Sequence, residues 1–246
     1  MGLFSGGKGR KAYALHLKGN KASEAGRYQE AAELHKQAME LYQQALDAGD
    51  KTPRYMMAYG VLLMRFKRFE EAHDLMLKTD KAPGITREEK RQLRLNFAVC
   101  EWKRGQLDHA IELMKSVGSD GMTSMIYGSL GYMLIEKAIQ TGDFTEAEAF
   151  NKEAYEYDEE DAVVLDNLGQ LYLNMGQRDK ALDYFKRAHE QKSSQVDTLY
   201  YLARLALEDG DKQQARQYLE DALDGNYSAL CTTTREQAQQ LLDTIE

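Results

Sequence analysis

Residues 162–188 read AVVLDNLGQLYLNMGQRDKALDYFKRA, and this stretch decides the fold. Two apolar runs are separated by Gly176, and small residues recur at Gly169, Ala181 and Ala188. Small residues let helices approach closely, while the large Leu, Tyr and Phe side chains between them fill the remaining space. A glycine in the turn suits a helix end that needs a left-handed residue. The stretch therefore predicts a helix–turn–helix.

The same pattern recurs along the chain, which indicates internal repeats. A small residue marks the first helix of each copy, at Gly19, Gly60, Ala98, Gly131, Gly169 and Ala203. The intervals of 41, 38, 33, 38 and 34 residues are uneven. In copy one the ladder Ala31, Ala38, Ala45 predicts a second helix about two turns longer than standard. In copy four the distance from Gly131 to Gly142 predicts one extra turn in the first helix.

These residues resemble the tetratricopeptide repeat, a 34-residue helix–turn–helix unit, over roughly residues 12–229. The resemblance is most specific in copies five and six, and it implies an all-α, right-handed α-solenoid of about six repeats. A C-terminal capping helix is expected because Ala238, Leu241, Leu242 and Ile245 share one side. The expected boundaries are a flexible tail at 1–11, repeats at 12–52, 53–86, 87–122, 124–161, 162–195 and 196–229, and the cap at 233–246.

Several helix starts are visible in the sequence. Thr52 precedes Pro53, which predicts an N-cap followed by proline at the first helical position. Asp161 is expected to cap a helix that begins at Ala162. Three further pairs have the spacing of a capping box, namely Thr86 with Glu89, Asp143 with Glu146, and Thr233 with Glu236.

Composition narrows the function classes. The chain has 32 basic and 40 acidic residues, a net charge of −8, which opposes attraction to phosphate backbones and argues against nucleic-acid binding. Two cysteines do not make a disulfide framework, and this usage fits a reducing compartment. No stretch is apolar over the ~18 residues that a transmembrane helix needs, and the N-terminus lacks the apolar core of a secretory signal. The cytoplasm is the expected location.

No motif indicates catalysis. Residues 2–8 match the first seven places of a phosphate-binding loop, but Gly9 stands where the loop needs Ser or Thr, and no strand precedes it. The five histidines lack metal-site spacing and are expected to be ordinary, mostly partly exposed residues. Cys100 and Cys231 have no histidine base beside them in the sequence. We therefore expect no enzyme activity, no catalytic residue, no metal site and no cofactor.

The resemblance implies that the first helix of each repeat lines a concave groove. Mapped onto copies two to four, it places at this face the residues Arg54, Met57, Val61, Met64, Arg65, Leu95, Val99, Trp102, Lys103 and Tyr132. Apolar side chains at positions that should face water mark interaction sites, and Trp, Tyr and Arg dominate binding hot spots. The alternative is that these residues pack against neighbouring helices or the chain's own tail.

One ligand class of the family is disfavoured. Some tetratricopeptide proteins hold the acidic C-terminal tails of heat-shock chaperones with two Lys, two Asn and an Arg. The matching positions here are His16, Asn20, Ala58, Gln92 and Asn96. Only Asn20 agrees, and a groove without these cations cannot pair a terminal carboxylate. We therefore do not expect chaperone tails as partners.

The sequence as a whole predicts a non-catalytic scaffold that binds a peptide or helix of a partner protein in its groove. The alternative function is structural. In that version the chain is a subunit that self-associates as a homo-oligomer, through its apolar face or its terminal helix.

Overall fold

The computed structural model describes residues 5–245, and within this range the regular structure is entirely α-helical. The described helices are α1 (Ser5–Glu24), α2 (Tyr28–Asp47), α3 (Pro53–Arg65), α4 (Phe69–Asp80), α5 (Arg87–Lys103), α6 (Leu107–Gly118), α7 (Ser124–Thr141), α8 (Thr145–Tyr157), α9 (Ala162–Asn174), α10 (Arg178–Gln191), α11 (Val196–Glu208), α12 (Lys212–Leu223) and α13 (Arg235–Leu242). They belong to two compact units, and the boundary falls between Val117 and Gly118 at the end of α6. Unit 1 holds the first three helix pairs and unit 2 the rest.

Consecutive helices form the six expected pairs. Helix α1 contacts α2, α3 contacts α4, α7 contacts α8, α9 contacts α10, and α11 contacts α12. The pair α5 and α6 is joined by an edge-to-face contact between the rings of Phe97 and His109, whose centroids are 6.3 Å apart. The expected all-α repeat fold is confirmed.

The small residues stand where two helices of a pair meet. A Cβ added at Gly169 of α9 would lie 2.6 Å from the ring of Phe185 on α10. A Cβ added at Gly19 of α1 would lie 2.4 Å from the ring of His35 on α2. Real Cβ atoms do not approach so closely, because an interior packed at crystal density has no room for an extra carbon. The marker position therefore fixes the helix separation inside each of these pairs.

The copies are unequal in the way the sequence predicts. Helix α2 has 20 residues, whereas its counterpart α10 has 14. Helix α7 has 18 residues and α9 has 13, a difference of a little more than one turn.

The expectation of a flexible tail over residues 1–11 is wrong from Ser5 onward, because α1 already begins there. Gly9 is buried against Tyr55, Ala12 is buried, and the Lys8 ammonium donates to the side-chain carbonyl of Gln44 at 2.9 Å. These contacts hold the start of the helix. Residues 1–4 of the expected tail lie outside the described residues.

Two predicted helix starts are confirmed and one is displaced. The Thr86 hydroxyl accepts the N–H of Glu89 at 3.1 Å, and the Glu89 carboxylate accepts the N–H of Thr86 at 3.0 Å. Asp161 accepts the N–H groups of Val163 and Val164, as expected of the α9 cap. Helix α13 instead starts one residue late, since its cap is Thr234 paired with Gln237.

Two other starts differ in detail. Helix α3 begins at Pro53 as predicted, but the Thr52 side chain makes no capping hydrogen bond. The predicted box of Asp143 with Glu146 is wrong, because the N-cap of α8 is Phe144 and the Asp143 carboxylate accepts the N–H of Thr145 instead.

Helix α13 closes the end of unit 2. Ala238 is fully buried and Ile245, just beyond the helix, is nearly so. Both join an apolar cluster with Ala203, Ala215 and Leu219 of α11 and α12. The expected capping helix is confirmed, and its apolar side is used inside its own unit.

Candidate functional site

The first helices of successive pairs lie side by side in each unit. In unit 1, α3 contacts both α1 and α5, and in unit 2, α9 contacts both α7 and α11. We call these surfaces the first-helix face of unit 1 and the first-helix face of unit 2. The predicted site residues lie on these helices, with all but Tyr132 in unit 1.

The structure divides the predicted residues by exposure. Arg54 is exposed, and Met57, Val61, Arg65 and Lys103 are partly exposed. The expectation that the apolar positions face water is wrong for four residues, each at most 7% exposed, namely Met64, Leu95, Val99 and Trp102. Burial of large apolar side chains is the ordinary consequence of the hydrophobic effect. The Lys103 ammonium also stacks 3.6 Å from the centroid of the Trp102 ring.

A polar cluster that contains two histidine side chains is buried at the first-helix face of unit 1. The imidazoles of His16 and His35 meet edge to face with centroids 5.5 Å apart. His35 Nε2 lies 3.1 Å from the Asn20 side-chain oxygen, and His35 Nδ1 lies 3.4 Å from a guanidinium nitrogen of Arg65. The expectation that the histidines are partly exposed is thus wrong for His16 and for His35, which is only 2% exposed.

Burial changes the protonation of both imidazoles. Desolvation, together with His35 and Arg65 nearby, lowers the pKa of His16 to about 4. Desolvation and the Arg65 charge lower the pKa of His35 to about 4 as well. Both rings are therefore neutral at neutral pH, because the charged form is disfavoured in a dry site beside a cation.

A second polar cluster in unit 1 surrounds Glu101 of α5. Its buried carboxylate accepts from Arg104 at 2.7 Å, from His73 of α4 at 2.8 Å, and from His109 of α6 at 3.1 Å. Burial opposes ionisation of Glu101, yet the hydrogen bonds from Arg104, His73 and His109 outweigh it and hold the pKa of Glu101 below its ordinary value. The cluster joins three helices and is satisfied internally.

Unit 2 buries carboxylates instead. Asp166 of α9 is 3% exposed, and its oxygens accept the Thr198 hydroxyl at 2.7 Å and the Gln170 amide at 2.6 Å. Burial and the nearby carboxylate of Asp197 raise the pKa of Asp166. A raised pKa of this kind is typical of a general acid. Both oxygens are nevertheless occupied inside the protein, so the geometry does not offer this carboxyl to a substrate.

Asp197 holds a segment of the chain's own backbone. This residue stands in the first turn of α11, and its Oδ1 accepts the backbone N–H groups of Thr232 at 3.0 Å and Thr233 at 2.6 Å. Burial raises the pKa of Asp197, against the opposing effect of these two amides. The contact also explains the displaced start of α13, since the Thr233 amide is already engaged.

Tyr132 of α7 completes this arrangement. It is partly exposed, and its hydroxyl is hydrogen-bonded to the Thr232 side chain. The structure thus brings Tyr132 together with unit 2 residues rather than with a row of exposed apolar side chains. The surroundings of Tyr132 fit packing against the chain's own C-terminal part better than exposure on an open binding surface.

The roles of Asp197, Thr232 and Thr233 were missed by sequence reasoning, although a signal exists. The link between α12 and α13 spans eleven residues, whereas the other links between helix pairs have four to six. A link about twice as long as the others has room to contact helices beyond the two that it joins. An aspartate inside the apolar run VVLDNLG also indicates a buried acid that needs partners.

Two sequence models of the tetratricopeptide repeat match the chain, one over residues 16–84 and the other over residues 162–227. This chain is a tetratricopeptide-repeat protein. The two matches fall on the first two helix pairs and on the last two. In these pairs the small marker residues lie at the contact between the two helices. A fold of this family implies a scaffold for protein–protein interaction. A search of curated proteins found no significant match.

Solved tetratricopeptide structures share the fold. A chain in the crystal structure of the APC/C hetero-tetramer Cut9–Hcn1 is 14% identical with a TM-score of 0.61, and the match covers 94% of this chain and 45% of that one. A thermophilic TPR protein of Thermus thermophilus is 18% identical with a TM-score of 0.60, over 78% and 98% of the two chains. PilW, a type IV pilus biogenesis factor, is 16% identical with a TM-score of 0.59, over 82% and 90%.

The tetratricopeptide chain therefore spans less than half the length of the first of these neighbours. Across residues 5–245 no helix combines the length and the apolar character that a membrane crossing requires.

Proposed function

We propose that the chain is a non-catalytic scaffold that binds a segment of a partner protein on the first-helix face of unit 1. The observation that carries the proposal is a stripe on α3. Arg54, Met57, Val61 and Arg65 follow one another at spacings of three and four residues, which places them on one side of the helix. The two apolar members are partly exposed and lie between the two cations.

The stripe suggests the chemistry of the partner. Met57 and Val61 offer apolar contact, and methionine adapts its shape to varied ligands. Arg54, with Lys103 on the neighbouring α5, presents positive charge on a chain whose net charge is −8, and the partly exposed Arg65 adds to it from beside the buried His35. An acidic group on the partner would pair with these cations. A short helix or extended segment with an apolar residue flanked by acidic ones fits this surface.

Site-specific photo-crosslinking tests the proposal. A photoreactive amino acid at Val61 should capture a partner from the native extract, whereas the same amino acid at Leu77 should not. Leu77 is a matched control because it is an apolar, exposed residue of α4 in the same unit. The crosslinked band at position 61 should disappear in the Met57→Glu background, since a carboxylate there repels an acidic segment. Equal capture at both positions would contradict the proposed face.

The self-association alternative has more support for the first-helix face than for the terminal helix. The apolar side of α13 packs inside unit 2, so the terminal helix has little apolar area left for a second copy. Self-association through the first-helix face is tested by light scattering, where a mass that stays monomeric as concentration rises argues against it.

Both cysteines are free thiols, and this supports the cytoplasm as the proposed compartment.

A further inference from the structure

The link between α12 and α13, residues 224–234, lies on the first-helix face of unit 2. Thr232 contacts three consecutive first helices through Tyr132 of α7, Gln170 of α9 and Asp197 of α11. The Gln170 amide nitrogen is 3.5 Å from the Thr232 hydroxyl oxygen, and the Asp197 carboxylate accepts a hydrogen bond from the backbone N–H of Thr232. A non-helical stretch of the chain therefore contacts all three first helices of this face.

Around Thr232 the segment is held by polar rather than apolar contacts. Leu230, its large aliphatic side chain, is 47% exposed, and Cys231 and Thr232 are partly exposed. By contrast, Ala238 of α13 is fully buried in the apolar cluster. The contacts are two adjacent backbone N–H groups on one carboxylate oxygen of Asp197, with the Thr232 hydroxyl beside the Gln170 amide and the Tyr132 phenol.

The carboxylate itself needs these donors. Asp197 is 8% exposed and close to a second buried carboxylate, Asp166. A buried carboxylate is stable only when hydrogen-bond donors satisfy it. The amides of Thr232 and Thr233 meet this need, and another extended segment with two consecutive N–H groups would carry the same donors. Nothing in the contact depends on the identity of the chain that supplies it.

We propose that the first-helix face of unit 2 is a second peptide-binding site, which the chain fills with its own residues Thr232 and Thr233. The partner it fits is an extended segment of another protein with adjacent hydroxyl-bearing residues and two N–H groups directed at Asp197. The chain's own segment is then an intramolecular competitor, and binding requires that it leave. This site is independent of the unit 1 face proposed above.

The cysteines provide a direct measurement of release. Cys231 adjoins Thr232 and is partly exposed, while Cys100 is fully buried and burial raises its thiol pKa to about 12. A thiol reagent therefore reports on the segment. Replacing both threonines by proline (Thr232→Pro with Thr233→Pro) removes both N–H donors. The double variant should label Cys231 at least about tenfold faster than the wild type if the segment opens.

A matched control is Ala229→Pro, which introduces proline in the same segment away from Asp197. It should label at about the wild-type rate. A control rate equal to that of the double variant would show that the hold does not come from the two amides, and would overturn the proposal. Circular dichroism checks that each variant remains helical.

Binding of a separately added peptide tests the proposed site directly. The probe is a fluorescent peptide with the sequence of residues 226–234 carrying Cys231→Ser. It should bind the full-length double variant, bind the wild type much more weakly, and fail to bind the double variant that also carries Asp197→Leu. Equal binding to the wild type, or no binding to the double variant, would overturn the proposal. A wild type that elutes as a dimer by exchanging the segment would also overturn it, since a second copy would then be the occupant.

Hydrogen exchange on the wild type keeps the test valid if the double variant does not fold. The amides of Thr232 and Thr233 should exchange through local opening, faster than the core amides of α9 and α11. Protection equal to that of the core helices would show a permanent structural clamp and would overturn the proposal.

Discussion

Copies one and five of the repeat use the same position for opposite chemistry. His16 stands three residues before the marker Gly19, and Asp166 stands three residues before the marker Gly169. Both side chains are buried. Burial lowers the pKa of His16 to about 4 and raises the pKa of Asp166, so that each is driven toward its neutral form.

The second helices of the two copies differ in the same way. His35 and Phe185 each lie sixteen residues after the marker, and each ring closes on the marker glycine. His35 is hydrogen-bonded to Asn20, whereas Phe185 stacks on Tyr201 with centroids 5.2 Å apart. The repeat thus decides which positions are buried, while the residue type decides whether the site is apolar or polar and which charge it excludes.

The largest expected effect comes from truncating the ring at this shared position. Phe185→Ala should lower the free energy of unfolding by about 3–5 kcal/mol, because a fully buried aromatic ring leaves a cavity. His35→Ala should lower it less, because water can then solvate the polar groups of Asn20 and Arg65. Urea denaturation followed by circular dichroism measures both. Equal losses would show that the two positions are energetically alike despite their different neighbours.

Low pH should affect the stability of the two units differently. The pKa of His16 and His35 is about 4 in the folded chain and 6.5 when unfolded. As pH falls through this window the unfolded chain takes up protons before the folded chain does. The free energy of unfolding of unit 1 therefore decreases. The loss between about pH 7 and about pH 5 should be about 4 kcal/mol, roughly 2 kcal/mol from each histidine. The fluorescence of Trp102, which lies in unit 1, measures it in urea titrations, and His16→Gln with His35→Gln should abolish most of it.

Asp166 should respond in the opposite direction. Its folded pKa of about 7 lies above the ordinary value of 3.8. Its contribution is therefore complete below the unfolded value and is lost as pH rises through the folded one. The groups that face it are Asp197 and Tyr201. Asp166→Asn should flatten the decline of unit 2 stability above neutral pH while leaving the Trp102 transition unchanged. A shifted Trp102 transition would contradict the independence of the two responses.

The smallest expected effect concerns the turn inside a pair. Lys67 in copy two has a φ of 58°, a conformation that copy five gives to Gly176 at 73°. A non-glycine residue there costs roughly 1–2 kcal/mol. Lys67→Gly should therefore raise the free energy of unfolding by up to about 1 kcal/mol, and Gly176→Lys should lower it by about 1 kcal/mol. Thermal denaturation of both variants measures the pair of changes, and a gain in both would contradict this reason.

The sequence was sufficient for the fold because the evidence lies in local spacing. The marker glycines, the long α2 and the capping box of Thr86 all follow from residues near one another in the chain. It was less informative about the site. Leu95 and Trp102 have the residue types of a binding surface, but their burial depends on neighbouring helices that one sequence does not place. The contact of Asp197 with Thr232 joins residues 35 apart, a distance no periodic pattern reports.

The Glu101 cluster has a consequence for folding kinetics. Its partners come from α4, α5 and α6, so its hydrogen bonds form only after the second helix of copy two and both helices of copy three are in place. Interactions that form after the transition state slow unfolding without speeding folding. We expect these hydrogen bonds to form after the transition state, in which case the cluster lengthens the time that unit 1 stays folded without speeding its folding.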